Sequence, residues 1–232
     1  MNLFCIPCAG GSAVMFKKIQ NLLPFKVKVQ PLELAGRGSR FLERPYADVK
    51  MAVDDLYQTI NGRIDREDYC FMGFSMGGIL TFELCRKILE NGRKPPLGVF
   101  FLGAEPPHIK SKTAYHKLND REFRQEMIAM GGIPEEVLLR DELFDLYLPA
   151  LRADFQICES YCFTKQPYKF DFSFYLINGL DDTITPSVLN EWKLYCKKCQ
   201  MDFVPGGHFF INTNTSETCR SINRSLMEMG IG

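Results

Sequence analysis

The sequence predicts an α/β fold in which helices cover both faces of a mainly parallel sheet. Three observations lead there. Short apolar runs bounded by Gly or Pro recur along the 232 residues. They alternate with longer segments of helical periodicity, the pattern of βαβ units. Several of the runs are apolar at consecutive positions, as strands covered on both faces require.

In chain order, Leu3 to Pro7 reads as the first strand, and a Gly10-Gly11-Ser12 turn follows it. Met15, Phe16, Ile19, Leu22 and Leu23 then recur at helical spacing, and Val27 to Leu32 reads as the second strand. Asp48 to Ile64 places Val49, Val53, Leu56, Tyr57 and Ile60 on one helical face. Tyr69 to Met72 is a short apolar strand ending in glycine, and Ile79 to Leu89 resumes as helix. Leu97 to Leu102, Phe172 to Ile177 and Met201 to Val204 are the later strands.

Between the strands at Leu97 and Phe172 the pattern changes. From about Pro107 to Pro167 strand signals nearly vanish, while Leu118, Phe123, Met127, Ile128, Leu138, Leu139, Leu143, Phe144 and Leu148 follow a helical pattern. A helical insertion at the strand C-termini would cover the site that open α/β sheets place there, so residues 107–167 are expected to form a lid. No repeat or flexible linker divides the chain, and residues 1–232 are expected to form a single domain carrying that lid.

Composition narrows the function. The chain is 46% hydrophobic and 24% charged, enough to bury a full core. Lys+Arg and Asp+Glu balance at 28 each, leaving no basic surplus to track a phosphate backbone, so nucleic acid is excluded as a partner. No apolar run reaches the roughly 18 residues of a membrane span, and no basic n-region precedes the first apolar stretch, so a cytoplasmic protein is expected. Nine cysteines is an odd number, and Cys5, Cys70 and Cys85 lie in apolar stretches where a reduced thiol acts as a small hydrophobe. Cys196-Lys197-Lys198-Cys199 has the spacing of half a zinc site, but no second Cys-x-x-Cys exists and His208 has a better use, so no metal is expected.

The chemistry centres on Gly73-Phe74-Ser75-Met76-Gly77-Gly78. A serine hydroxyl is a poor nucleophile until a base takes its proton, and a sharp strand-to-helix turn flanked by small residues presents its oxygen to both base and substrate. Alone, Gly-x-Ser-x-Gly also fits an ordinary glycine-rich βα turn. The test is whether an acid and a histidine follow in the order Ser, Asp, His, each beyond a strand. After the strand ending at Ile177 comes Asn178-Gly179-Leu180-Asp181-Asp182, where either carboxylate can orient an imidazole while the other caps a turn. Of His108, His116 and His208, only His208 follows a late strand through a glycine-rich turn. This is the arrangement of an α/β-hydrolase fold with Ser75 as nucleophile and His208 as base. A tetrahedral intermediate also needs donors for its oxyanion: the Met76 backbone N–H supplies one, and Ala9, in the glycine-rich loop Pro7 to Ser12 after the first strand, is assigned the second. That loop contains neither a dinucleotide nor a P-loop pattern.

These residues resemble the stand-alone type II thioesterases that serve nonribosomal peptide and polyketide synthetases. The resemblance spans nearly the whole chain. It rests on Ile6-Pro7-Cys8-Ala9-Gly10-Gly11-Ser12, Gly36-Arg37-Gly38-Ser39-Arg40, the Ser75 turn, Pro106-Pro107-His108, Gly131-Gly132-Ile133-Pro134, Leu148 to Asp154, and Gly206-Gly207-His208-Phe209-Phe210. Cys8 and Ala35 depart from the family's usual residues. The resemblance places the acid at the end of a Gly-x-x-Asp turn, hence on Asp182. It implies a monomer with no cofactor of its own, acting on acyl groups borne by phosphopantetheine on acyl or peptidyl carrier proteins and clearing stalled or misprimed ones. A medium-chain fatty-acyl thioesterase, a carboxylesterase and a non-catalytic carrier-binding protein are the alternatives.

Overall fold

The computed structural model describes residues 1–133, 135–163 and 169–231. Its sheet has six strands: β1 (Asn2–Ile6), β2 (Lys28–Pro31), β3 (Tyr69–Phe74), β4 (Gly98–Leu102), β5 (Ser173–Gly179) and β6 (Cys199–Val204). They lie in the order β2-β1-β3-β4-β5-β6, and each neighbouring pair is parallel. The helices are α1 (Lys17–Gln20), α2 (Val49–Ile60), α3 (Met76–Glu90), α4 (Asp120–Met130), α5 (Glu135–Leu138), α6 (Asp141–Ser160), α7 (Pro186–Asn190), α8 (Phe210–Thr213) and α9 (Thr215–Glu228).

Successive strand side chains point to opposite faces, and here both faces are covered. Phe4, Phe71, Phe101 and Phe174 pack with Leu56 and Ile60 of α2 and Leu80 and Leu84 of α3. Leu3, Cys70, Phe100 and Tyr175 pack on the other side with Phe16, Ile19, and Ile222 and Leu226 of α9. Two apolar layers explain why these strands are continuous apolar runs rather than alternating ones. Trp192, fully buried, stacks on Phe101 at 4.1 Å between centroids and donates its indole N–H to the Ala104 carbonyl at 2.9 Å.

The fold departs from the sequence expectation in its helix lengths. The segment from Met15 to Leu23 forms only a 3-10 turn at Ala13–Phe16 and the four residues of α1, with Leu22 exposed. Pro24 disfavours the helical region for Leu23, which joins Phe16 and Ile19 in the core without continuing the helix. Asp48 caps α2 by accepting from the Met51 N–H at 2.8 Å, and α2 ends at Ile60, four residues before the expected stop at Ile64. The helix after β3 starts at Met76, earlier than Ile79, because the chain turns into it directly at Ser75.

Between β4 and β5 lie α4, α5 and α6, where helices were expected; Pro134 and Pro167 fall outside the described residues. Phe123, Met127 and Leu151 form a small cluster of their own here. The Arg152 guanidinium lies over the Phe123 ring, 4.3 Å from its centroid, and donates to the His116 and Leu118 carbonyls. The chain runs outward from β1 to β2 and returns to β3 on the far side of β1. That reversal opens a crevice at the C-terminal ends of β1 and β3.

Candidate active site

Ser75 stands at that crevice, between the last residue of β3 and the first of α3. Its φ of 53° and ψ of −115° make it the one non-glycine residue with positive φ among the described residues. Such a conformation costs about 1–3 kcal/mol and persists only when its surroundings enforce it. The Ser75 N–H donates to the Leu102 carbonyl at 2.9 Å, and the Gly78 N–H donates to the Ser75 carbonyl at 2.8 Å. Close passage of α3 over β1 depends on Gly77, where a β-carbon would lie 2.2 Å from the Ile6 carbonyl oxygen.

His208 and Asp182 arrive on two turns that are tied together. The Leu180 N–H donates to the Val204 carbonyl at 2.8 Å, and the Asp181 N–H to the Gly206 carbonyl at 3.0 Å. This brings Asp182 Oδ2 to 2.9 Å from His208 Nδ1, and His208 Nε2 to 3.0 Å from Ser75 Oγ. With Asp182 accepting from Nδ1–H, the Nε2 lone pair faces the serine hydroxyl. Asp181, the rival acid, is exposed and reaches this cluster only through its backbone.

The Asp182 side chain is 0% exposed, whereas that of His208 is 33% exposed. Burial pushes the Asp182 carboxyl up. The His208 hydrogen bond, with the Ile184 and Thr183 N–H groups, outweighs burial and holds it below its ordinary value. The imidazole stacks on Phe74 with centroids 5.4 Å apart, so the ring is held by packing as well as by its carboxylate. His108 and His116 also meet carboxylates, Glu191 at 2.6 Å and Glu159 at 2.5 Å. Their other contacts are structural: Tyr195 Oη lies 2.7 Å from His108 Nδ1, and the His116 N–H donates to Glu159.

Met76 is the first residue of α3, so its N–H is among those a helix N-terminus leaves without an intrahelical acceptor. Ala9 lies across the crevice, and two cavities meet where Ala9, Ser75 and His208 come together. One, of about 400 Å³, extends under α4 and α6 and is walled by Met127, Ile133, Leu151, Phe155 and Phe209, with Cys8 and Tyr147. The other, of about 960 Å³, is a trench past Gly103 to Pro106 and His108 to Thr113, including Lys110 and Lys112. Burial pushes the Cys8 thiol up to about 12, so it is a neutral wall and no second nucleophile.

Sequence reasoning assigned no role to Arg37, Tyr147 or Asp154, which the structure places around the Gly10–Gly11 turn. The signals available were that Arg37 and Asp154 fall within two of the motifs that carry the resemblance, Gly36 to Arg40 and Leu148 to Asp154; nothing local linked the two. The Cys196 thiol donates to the Trp192 carbonyl at 3.7 Å, and Cys199 opens β6. Among the described residues no group of three His, Cys, Asp or Glu side chains is arranged to hold a metal ion, and no helix is long and apolar enough to cross a membrane.

Comparison with known proteins gives consistent results. Residues 1–226 match the family model described as a thioesterase domain. The chain is 34% identical over 229 residues to the gramicidin S biosynthesis protein GrsT of Aneurinibacillus migulanus, covering 97% of this chain and 89% of the relative. Among solved structures it resembles ClbQ from the colibactin NRPS/PKS pathway, with TM-score 0.94, 31% identity, and 99% and 98% of the two chains covered. It also resembles the RedJ thioesterase from the prodiginine biosynthetic pathway in Streptomyces coelicolor, with TM-score 0.90, 29% identity, and 97% and 89% covered.

Proposed function

The chain belongs to the thioesterase family, and on that footing we propose that Ser75, His208 and Asp182 are the catalytic residues of a type II thioesterase. Its substrates in this reading are acyl groups carried as thioesters on the phosphopantetheine arms of carrier proteins in a nonribosomal peptide or polyketide pathway. His208 Nε2 takes the Ser75 proton as the oxygen attacks the thioester carbonyl. The Met76 and Ala9 N–H groups hold the oxyanion, and Asp182 keeps the imidazole in the right tautomer and stabilises its charged form. The C–S bond then breaks and the thiolate leaves with the proton from His208. Water, deprotonated by His208 in turn, releases the acid and restores Ser75.

The observation that carries the substrate assignment is the meeting of two unlike cavities at Ser75. The apolar one suits the acyl chain. The trench suits a long arm, and Lys110 and Lys112 along it outnumber its one carboxylate, Glu105, as an anionic group on that arm requires. An ordinary small ester needs only the first. The insertion carrying α4 to α6 acts as a lid over the acyl cavity. The chemistry requires no cofactor beyond the arm on the substrate.

The test compares hydrolysis of one acyl group presented on a carrier protein, on coenzyme A and as an oxygen ester. Fastest turnover of the carrier-bound form is expected. Equal kcat/KM on all three would refute carrier specificity. Preference for a free decanoyl thioester over any carrier-bound group would turn the assignment to a fatty-acyl thioesterase.

A further inference from the structure

Backbone polar groups withdrawn from water need partners, and in the half-buried turn after β1 those of Gly10 find theirs on the insertion helix. Gly10 has φ 68°, and its N–H donates to Asp154 Oδ2 at 2.7 Å. The Gly10 carbonyl accepts from the Tyr147 hydroxyl at 2.8 Å. The Gly11 N–H closes back on the Cys8 carbonyl at 2.9 Å, and the Gly11 carbonyl accepts from Arg37 Nη1 at 3.2 Å. Tyr147 and Asp154 lie two turns apart on α6, hence on one face. Helix and turn touch: a β-carbon on Gly10 would lie 2.0 Å from the Tyr147 hydroxyl.

Ala9 sits in the middle of this network. The peptide before it is fixed through the Cys8 carbonyl, and the peptide after it through the Gly10 N–H. With both peptide planes held, the direction of the Ala9 N–H is held too. The remaining piece is the Arg37–Asp154 pair, 6% and 1% exposed and bidentate at 2.5 and 2.7 Å. Stability is a weak reason for burying such a pair, because apolar replacements of similar volume are often as stable or more so.

We infer that Asp154, Arg37 and Tyr147 are positioning residues through which α6 orients the Ala9 N–H toward the oxyanion, so that closing the acyl cavity and completing the oxyanion hole are one event. This rests on the serine mechanism proposed above. When α6 withdraws, the turn loses its bonds to Asp154 and Tyr147, and a substrate bound under an open lid meets only the Met76 donor.

The test uses the full chain with two variants, Y147F and the double variant R37M/D154L, alongside S75A. For each, kcat and KM on an acyl-pantetheine are measured separately, with inhibition by an acyl trifluoromethyl ketone, which forms a tetrahedral adduct, and Trp192 fluorescence as the check of folding. Losing one neutral hydrogen bond in Y147F is expected to lower kcat about 3- to 10-fold. Disorienting one oxyanion donor in R37M/D154L is expected to lower it roughly 100-fold, with KM little changed and ketone affinity falling in step. A folded double variant with wild-type kcat and ketone affinity, or a loss confined to KM, overturns the inference. Where the double variant does not fold, Y147F decides on the same criteria. Turnover surviving in S75A would instead show that the serine mechanism itself is wrong.

Discussion

Replacing Gly77 by alanine adds one methyl group where the first turn of α3 crosses β1. The new carbon would lie 2.2 Å from the Ile6 carbonyl oxygen and 2.8 Å from that of Pro7, both backbone atoms of a central strand and its exit. Real β-carbons do not approach within 3.0 Å, so the turn must withdraw by about 0.8 Å. Ser75 lies on the same turn, with its hydroxyl 3.0 Å from His208 Nε2, so a shift of that size misaligns the pair. A misplacement near 1 Å lowers turnover roughly 100-fold. Overpacking adds about 1–3 kcal/mol of destabilisation, each kcal/mol lowering Tm by about 2–4 °C at this chain length. Thiol release from an acyl-pantetheine gives kcat, and the sole tryptophan, buried Trp192, reports unfolding. Gly62→Ala is the control, since nothing lies within 4 Å of its added methyl. A Gly77→Ala protein with kcat within threefold of wild type and an unchanged Tm would refute the close-approach argument.

Ser75→Ala is expected to abolish thioester hydrolysis while leaving Tm equal or higher, because the hydroxyl packs against little; measurable burst or steady-state turnover counts against the nucleophile. Asp182→Asn should lower kcat by about 10⁴-fold through the wrong imidazole tautomer, with KM nearly constant. The Asp182 carboxyl lies below its ordinary value when folded, so its stabilisation is complete above the unfolded value near 3.9 and is lost as pH falls through the folded one. The Tm gap between wild type and Asp182→Asn is therefore expected to hold from pH 7 to 5 and close only in stronger acid; closure between pH 7 and 6 contradicts the sign. The Cys8 thiol, raised to about 12, should resist iodoacetamide at pH 8 while exposed Cys162 reacts, as peptide mass mapping will show. Cys8→Phe should narrow the acyl cavity, sparing acetyl and slowing octanoyl thioesters at least tenfold; an unchanged chain-length profile would place the acyl group elsewhere.

Legibility in the sequence followed how local each cause is. The central strands were readable because two packed faces demand mostly apolar runs, and the Ser75 turn because small residues must cluster where a strand meets a helix. The short helix after β1 was not, since its length is set by Pro24 and by which residues of the segment reach the core. Asp181 and Asp182 are chemically identical neighbours, and the geometry that separates them belongs to the turn at Gly206. Arg37 and Asp154 lie 117 residues apart, and only the folded chain joins them. The two cavities likewise arise from packing the insertion against the β1 loop and leave no trace in any one segment.

The left-handed backbone at Ser75 sets heat resistance against turnover. Glycine adopts φ near 53° without the steric cost that serine bears, and relief of about 1–3 kcal/mol exceeds the roughly 0.4–1 kcal/mol that glycine adds to the freedom of the unfolded chain. A library screened for survival at high temperature alone would thus drift toward glycine at position 75 and accumulate sturdier, inactive proteins. Engineering this scaffold for durability has to hold position 75 constant and seek its gains in segments remote from the crevice.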